Sequence, residues 1–360
     1  MLTLHVEVTS RCPLRCLHCY NDRAVADALD LATLESVLDD AMPLGCLFVV
    51  LTGGEVYARP DFEQIVSAAR RREFDVRCQT SGWHLDDHAA GFLAERAVSE
   101  VHISVYSDNP AVHDAVTRMP GSHARALRAV HALRRRGVRV LIKSVVTEVN
   151  AASYRSVQTL ARSLGCACSI DPVVVPCESG ACGPCGVRPP DDILREFYGE
   201  YAWSQIAAAF SGSRARGALR PLDDAPCLAG ATSLFLASDG TIYPCVDLKI
   251  PCGSVLTESL ACIWRGSPGL RRVRDLRWRD LPVCAACQVR DYCNHCLAVA
   301  QNEHGDLLGP ALENCRHALV RRDLLRERGL VAATETAVPP PLAVASMPGG
   351  APVPNISAKK

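Results

Sequence analysis

The chain has 360 residues, a formal net charge of zero and 19 cysteines. A balanced charge creates no overall field that favours nucleic acid or anionic lipid, so we expect neither a nucleic-acid nor a membrane partner. The first ten residues lack the features of a signal peptide, and no apolar run approaches the roughly 20 residues that cross a bilayer. We therefore expect a cytoplasmic protein whose reduced cysteines bind metal and do not form disulfides.

Short β-branched runs alternate with helical patterns in the first half of the chain. The predicted strands cover residues 3–8, 46–52, 75–81, 100–106, 138–146 and 166–175. The predicted helices cover residues 33–42, 61–72, 86–97, 123–136 and 151–164, with a further helical stretch near 191–210. Strands that alternate with helices predict a parallel sheet, which right-handed crossovers wind towards a partial barrel. Ligands of such sheets bind at the C-terminal ends of the strands.

This regular alternation stops near residue 176, and the composition changes there. We predict a barrel domain over residues 1–175, a linker loop and helix over 176–226, a cysteine-rich domain over 227–330, and a disordered tail rich in Ala and Pro over 331–360. The predicted fold class is α/β, a partial (β/α)6 barrel of the TIM type followed by a small irregular domain built around metal.

The segment "CPLRCLHC" directly follows the first predicted strand and places Cys12, Cys16 and Cys19 on one loop. Three thiolates can hold three irons of a [4Fe–4S] cluster and leave the fourth iron open. A small molecule can then bind that iron through amine and carboxylate groups. The alternative is a zinc loop that takes its fourth ligand from His18.

This segment resembles the cluster motif of the radical S-adenosylmethionine (SAM) enzymes, and the resemblance spans roughly residues 1–175. It implies that SAM binds the open iron and that His18 packs near the adenine. "TGGE", residues 52–55, resembles the glycine-rich segment of that family. By this resemblance, Gly53, Gly54 and Glu55 would hold the methionine amino group of SAM, with Glu55 accepting from the ammonium.

Further positions in the barrel half carry a weaker likeness to the same family. Ser104 and the segment "HDAVTR", which ends at Arg118, resemble positions near the ribose and carboxylate of SAM. Lys143 is another cation that could reach the carboxylate. For each of these residues, solvation at a strand end or capping of a helix is an equal alternative.

The cysteines after residue 226 resemble the SPASM extension of radical SAM enzymes. The resemblance implies two auxiliary iron–sulfur clusters, both expected to be [4Fe–4S]. One would be held by Cys284, Cys287, Cys293 and Cys315, and the other by Cys227, Cys245 and Cys296. One departure is that two residues separate Cys293 from Cys296, where the family usually has three. Paired zinc sites are the alternative, because Cys-x-x-Cys pairs suit zinc equally well.

Three more cysteines lie on the loop that leaves the sixth predicted strand. They are Cys177, Cys182 and Cys185. One of them could be the missing ligand of the three-cysteine cluster. They could also form a separate metal site or a redox pair.

The resemblance also implies a reaction. In this family an electron from the reduced cluster cleaves bound SAM, and a 5′-deoxyadenosyl radical takes a hydrogen from the substrate. Enzymes with the SPASM extension act mostly on peptides, and residues 104–130 look close to maturases of ribosomally made peptides, including the pyrroloquinoline-quinone and mycofactocin types. We predict a peptide maturase that installs a C–C or C–S cross-link or an oxidation.

Two protein partners are expected besides the precursor peptide. The electron donor would be a flavodoxin or a ferredoxin. The chain begins directly on the first predicted strand, so we also expect a separate protein that binds the leader segment of the precursor peptide.

Other functions stay open from sequence. In sulfatase maturases, which form formylglycine, an aspartate base directly follows the second auxiliary cysteine. Here Val246 stands in that place and Asp247 comes one residue later, which weakens the match and leaves Asp247 as a candidate base. A haem- or sugar-modifying radical enzyme is a further alternative, since "EVTSRCPLRCLHCY" is also typical of haem-pathway relatives. A non-catalytic iron–sulfur electron carrier would have no use for "TGGE".

Overall fold

The computed structural model describes residues 1–21, 27–210 and 220–331. Its strands are β1 (Thr3–Thr9), β2 (Phe48–Gly53), β3 (Asp75–Thr80), β4 (Glu100–Ser104), β5 (Val140–Val145), β6 (Ala167–Asp171), β7 (Ser233–Leu236) and β8 (Ile242–Tyr243). They form one sheet in the order β6-β5-β4-β3-β2-β1-β7-β8. The predicted tail over 331–360 lies outside the described residues except for residue 331.

The first six strands confirm the predicted fold class. They pair in parallel and in chain order from β1 to β6. Within the described ranges β6 pairs only with β5, so the barrel is open along that edge. Side chains alternate across β1: Leu4, Val6 and Val8 are fully buried in the core, while His5 and Glu7 lie on the other, inner face. The inner face is therefore polar.

Six helices accompany these strands. They are α1 (Leu31–Ala41), α2 (Phe62–Arg71), α3 (Asp87–Glu95), α4 (Pro110–Thr117), α5 (Ser122–Arg135) and α6 (Tyr154–Ser163). Five of them confirm the predicted helices, whereas the short α4 was not predicted. Asn109 caps α4 by accepting from the Ala111 N–H, and Pro110 occupies its first position. Local capping chemistry thus builds a helix too short for its periodicity to be evident.

The described residues of the second half form seven further helices. These are α7 (Asp191–Glu200), α8 (Trp203–Phe210), α9 (Leu260–Gly266), α10 (Pro268–Asp275), α11 (Pro282–Ala285), α12 (Leu297–His304) and α13 (Leu312–Glu327). Strand β7 joins the sheet parallel to β1, and β8 pairs antiparallel with β7. The cysteine-rich segment therefore shares the sheet of the barrel, which the sequence did not predict. The division at residues 176, 227 and 331 stays a prediction.

Burial is concentrated between the sheet and the helices of the first half. Phe62, Ile65, Leu85, Leu93 and Leu133 are all fully buried there. Full burial of such side chains stabilises the fold by about 1.5–3 kcal/mol each. Among the residues that the structure describes, no helix is both long enough and apolar enough to span a membrane.

Candidate active site at the carboxyl ends of the strands

The loop after β1 carries the first three cysteines and packs against the end of α4. The Arg15 N–H donates to the Thr117 carbonyl at 3.1 Å, and the Leu17 N–H donates to the Val116 carbonyl at 2.9 Å. A turn brings the Cys19 N–H to the Cys16 carbonyl at 3.1 Å. Backbone hydrogen bonds therefore fix the loop at the C-terminal end of the sheet, where the sequence predicted it.

The thiols of Cys12, Cys16 and Cys19 lie near one another on this loop. Desolvation raises the pKa of Cys12 to about 11 and that of Cys16 to about 12, and neighbouring thiols add to both rises. Iron binding would displace these protons, because thiolates are the ligands. Within the described residues, no three His, Cys, Asp or Glu side chains converge on a single ion. A cubane cluster binds one thiolate per iron, so its ligands need not converge, and the loop fits it.

The two glycines at the end of β2 let this strand approach the cysteine loop. The Gly54 N–H donates to the Thr9 carbonyl at 2.9 Å, and the Glu55 N–H donates to the Arg11 carbonyl at 2.8 Å. A Cβ on Gly54 would lie 2.4 Å from the Arg11 carbonyl oxygen. Gly53 has φ +150°, and its Cβ would lie 2.3 Å from the Thr9 oxygen. Only glycine fits either position.

Glu55 is fully buried and connects the ends of β2 and β3. Its Oε1 accepts from the Thr80 hydroxyl at 2.6 Å and the Tyr57 N–H at 3.3 Å. Its Oε2 accepts from the Ser81 N–H at 2.9 Å and from the Ser81 hydroxyl. Four donors match the roughly four lone-pair sites of a carboxylate. Glu55 therefore orients the glycine segment, and its contact with the SAM ammonium stays a prediction that requires one donor to leave.

An aromatic stack that the sequence did not reveal supports His18. The His18 and Tyr106 rings meet edge to face with centroids 4.8 Å apart, and Tyr106 also contacts His113 at 5.4 Å. The Tyr106 side chain also lowers the pKa of the Cys16 thiol, against the larger effect of burial. Burial lowers the pKa of His18 to about 4, so its ring is neutral, and its buried Nδ1 has no partner among the described residues. A neutral ring with an unused polar atom suits a base such as adenine.

The three weaker SAM-binding candidates lie around this end of the barrel. Ser104 of β4 and Lys143 of β5 are paired in the sheet register. Burial lowers the pKa of His5 on β1 and of His102 on β4, and the charge of Lys143 lowers both pKa values further. Lys143 therefore points into the barrel. Arg118 is exposed directly after α4, in a left-handed conformation with φ 53°. All three stay predictions as SAM ligands.

Charged groups also line the inner face between the cysteine loop and the C-terminal half. Lys249 Nζ lies 2.9 Å from Glu178 Oε1 and 3.9 Å from the Phe235 ring centroid, and both charged side chains are nearly buried. Burial raises the pKa of Asp247, and the charge of Lys249 opposes the rise. Glu7 accepts from the Ser238 N–H at 3.0 Å. Of these groups, only Asp247 was predicted from the sequence. The position of Glu7 on the inner face of β1 could have indicated Glu7 as well.

Cys227, Cys245 and Cys296 come together in one small apolar cluster with Leu248. Burial raises the pKa of all three thiols, to about 12 for Cys245 and about 11 for Cys296. The carboxylate of Asp247 adds to the rise in each case. The structure therefore brings this predicted ligand set together beside an acidic group.

The other four predicted auxiliary ligands also lie together. Burial raises the pKa of Cys284 to about 11, of Cys293 to about 12 and of Cys315 further, and their mutual charges, with that of Cys287, add to the rise. Cys293 Sγ lies 4.0 Å from the Asn314 carbonyl oxygen, next to Cys315. The shortened segment between Cys293 and Cys296 does not prevent this arrangement.

The loop with the last three candidates runs beside the first cysteine loop. The Glu178 N–H donates to the Tyr20 carbonyl at 2.9 Å, and Cys177 Sγ lies 3.8 Å from the Cys19 carbonyl oxygen. Cys182 and Cys185 form a disulfide. The general expectation that the cysteines do not pair is wrong here, whereas the alternative of a pair among these three cysteines agrees with the structure. The turn brings the two Cα atoms to 5.2 Å, within the usual disulfide range. Cys177 is the member of the three outside the disulfide.

Two family models match this chain. The Radical SAM superfamily model matches residues 6–152, and the model of SPASM, an iron–sulfur cluster-binding domain, matches residues 227–288. The matched residues include the first cysteine loop and the glycine segment in one case and four of the seven predicted auxiliary ligands in the other.

Curated relatives match most of the chain. The PqqA peptide cyclase of Gluconobacter oxydans is 29% identical, over 81% of this chain and 83% of that protein. An AdoMet-dependent heme synthase of Methanosarcina barkeri is 26% identical, over 84% of this chain and 93% of that protein. The mycofactocin maturase MftC of Mycobacterium ulcerans is 27% identical, over 80% of each.

Solved structures share the fold. SuiB of Streptococcus suis bound to S-adenosylmethionine has a TM-score of 0.67 at 17% identity, over 84% of this chain and 74% of that chain. AnSMEcpe with bound AdoMet also has a TM-score of 0.67 at 17% identity, over 91% of this chain and 98% of that chain. The family models show that the chain carries a Radical SAM superfamily domain over residues 6–152 and a SPASM iron–sulfur cluster-binding domain over residues 227–288.

Proposed function

We propose that this enzyme matures a ribosomally made precursor peptide by removing a hydrogen from a side chain or the backbone, which leads to a C–C or C–S cross-link or to an oxidation. The observation that carries the proposal is the similarity to a PqqA peptide cyclase and to mycofactocin maturases along four fifths of the chain. The polar inner face between the two cysteine regions supplies hydrogen-bonding groups for a peptide segment.

A radical SAM domain binds SAM and a [4Fe–4S] cluster, and a SPASM domain binds auxiliary iron–sulfur clusters. These cofactors replace the zinc alternatives considered from sequence. When bound, the cluster and SAM supply the radical that removes the substrate hydrogen. We assign the cluster to Cys12, Cys16 and Cys19. The auxiliary clusters are assigned, as in the sequence analysis, to Cys284, Cys287, Cys293 and Cys315 and to Cys227, Cys245 and Cys296.

Other residues of the barrel would orient SAM. The backbone of Gly53 and Gly54, packed against the cysteine loop, would take the methionine amino group, and His18 would contact the adenine. Ser104, Arg118 and Lys143 would contact the ribose and carboxylate. Each of these side chains lies at the same end of the barrel as the cysteine loop, which supports the assignment.

Asp247 is our candidate base for the proton that the substrate loses. It is half-buried on the inner face, next to the three-cysteine set and close to the Glu178–Lys249 ion pair. An Asp247→Asn variant should still cleave SAM reductively but should lose the peptide product. Loss of both activities together would indicate a structural role instead.

The proposal includes two protein partners. A flavodoxin or ferredoxin would supply the electron, and a separate leader-binding protein would present the precursor peptide. Oxygen-sensitive clusters and these donors suit a reducing compartment, so we place the enzyme in the cytoplasm.

The test uses the full-length protein, reconstituted anaerobically and reduced with dithionite in the presence of SAM. The substrates are deuterated synthetic copies of the peptides that are encoded next to the gene. A Cys16→Ala variant serves as the control. We expect 5′-deoxyadenosine that contains deuterium, together with a peptide whose mass has changed. Deoxyadenosine without any peptide change, for every neighbouring peptide and with the leader-binding protein present, would contradict peptide maturation.

Haem-precursor modification is the second candidate, because an AdoMet-dependent heme synthase matches a similar share of the chain. The same assay with a porphyrin-type substrate distinguishes the two functions. Conversion of the porphyrin, with the peptides unchanged, would favour the second candidate. Formylglycine formation is weaker, since the likeness to anSMEcpe shows the fold alone and Val246 occupies the place of the base.

A further inference from the structure

A nearly buried arginine lies beside the four-cysteine auxiliary set. Arg321 lies on α13, the helix that also carries Cys315, and its side chain is nearly buried. Its Nε donates to the Tyr292 carbonyl at 2.9 Å, directly before Cys293 in the chain. Ala318, three residues before Arg321 on the same helix, packs with Cys293 in one buried cluster. Arg321 therefore lies on the side of α13 that borders Cys293.

One guanidinium nitrogen of Arg321 is available to an iron–sulfur cluster. Nη1 lies 3.4 Å from the Tyr198 hydroxyl, whereas Nη2 is buried without a hydrogen-bond partner among the described residues. Other atoms of Arg321 border a surface cavity of about 510 Å³, but Nη2 is not open to it. A buried donor without a partner costs about 1–3 kcal/mol or more, so a partner at the cysteine site is expected. Sulfide or thiolate sulfur of a cluster would accept from it.

Arg220 is a second arginine near these cysteines, and residues 290–291 hold its backbone in place. The Arg220 N–H donates to Asp291 at 2.6 Å, and the Arg220 carbonyl accepts from Arg290 Nη2 at 2.9 Å. Arg290 lies between Cys287 and Cys293 in the sequence, and its side chain is buried. The three-cysteine set has the opposite neighbour, since the Asp247 carboxylate lies near all three of its thiols.

We propose that Arg321, assisted by Arg220, raises the reduction potential of the auxiliary cluster held by Cys284, Cys287, Cys293 and Cys315. Reduction adds a negative charge to the cluster, and a fixed positive charge in a poorly solvated site stabilises the reduced form. Net charge, hydrogen bonds to sulfur and exposure set the potentials of such clusters. The inference rests on this ligand assignment and not on the identity of the peptide.

The test is an anaerobic redox titration of the full-length protein, followed by electron paramagnetic resonance. Cys12, Cys16 and Cys19 are replaced by alanine in every sample, so that only the auxiliary clusters contribute. The signal that disappears in a Cys284→Ala variant identifies the cluster in question. Arg321→Gln removes the charge, Arg321→Lys keeps it, and Arg322→Gln is the matched control, because that arginine is paired with Asp323.

At the midpoint potential of the parent protein, Arg321→Gln should lower the ratio of reduced to oxidised cluster about tenfold, a shift of 59 mV for one electron. Arg321→Lys should shift the midpoint much less, and Arg322→Gln should leave it unchanged. An unchanged midpoint in Arg321→Gln with full iron content, or equal shifts in the Lys and Gln variants, would overturn the proposal.

If Arg321→Gln loses this cluster, Arg220→Gln provides the test. A lower midpoint in that variant supports the proposal, and an unchanged midpoint contradicts it. All titrations are done without peptide or SAM, so their outcome is independent of the peptide-maturase proposal. Loss of about four irons in Cys284→Ala checks the ligand assignment separately.

Discussion

Replacing Gly54 by alanine should disable the first cysteine loop while the rest of the barrel stays folded. Gly54 does not have a positive φ, so the added methyl group acts through contact alone. Its Cβ would lie 2.4 Å from the Arg11 carbonyl oxygen, 2.6 Å from the carbonyl carbon and 2.7 Å from the Ser10 oxygen. All three are backbone atoms, so no side-chain rotation can relieve the contact.

The size of the effect follows from these distances. An ordinary contact begins at 3.4 Å, so strand and loop must separate by about 1 Å. That movement weakens the hydrogen bonds from Gly54 to Thr9 and from Glu55 to Arg11. Each is worth about 0.5–1.5 kcal/mol, and overpacking costs about 1–3 kcal/mol. A total of about 3 kcal/mol lowers the population of the native loop roughly a hundredfold.

The assay compares iron content and 5′-deoxyadenosine formation in the anaerobically reconstituted protein. Gly54→Ala should hold about four irons fewer than the roughly twelve expected for three cubane clusters, and SAM cleavage should fall about a hundredfold. Gly266→Ala is the control, because its Cβ would meet nothing within 4 Å. Full iron content and normal SAM cleavage in Gly54→Ala would refute the reasoning.

Three further predictions concern buried groups. Glu55→Gln should lower the Tm by several degrees, because the amide leaves part of the four-donor site unmatched at a cost of about 1–3 kcal/mol. The control Glu63→Gln, at a partly exposed position, should leave the Tm unchanged. Equal Tm values for the two variants would contradict this prediction. Arg59→Met should lower the free energy of unfolding by roughly 2–6 kcal/mol, because two buried carbonyls lose their hydrogen-bond donor. Chemical denaturation measures this change, and a decrease of less than about 1 kcal/mol would disprove the prediction. Cys293→Ala should remove about four irons per chain and leave SAM cleavage intact. The control Cys252→Ala should keep all the iron. An unchanged iron content in Cys293→Ala would exclude Cys293 as a ligand.

Much of the fold and the location of the candidate site were predictable because their signals are local. The alternation of strands and helices is encoded in short runs of sequence, and it predicted the six parallel strands of the partial barrel. Parallel strands place their carboxyl ends at one edge, which brings the first cysteine loop next to Gly53 and Gly54. The resemblance of the later cysteines to the SPASM extension likewise indicated which thiols would lie together.

The sequence by itself determined the parallel barrel, the cysteine loop and the glycine segment, because residue spacing and strand direction suffice to specify them. Only the tertiary structure decided that β7 joins the sheet beside β1, that Lys249 pairs with Glu178, and that Arg321 donates to the carbonyl of Tyr292, next to Cys293. Such contacts join segments far apart in the chain, as the 231 residues between Glu7 and Ser238 illustrate. No local period or spacing encodes them, since they arise only when separate elements pack together.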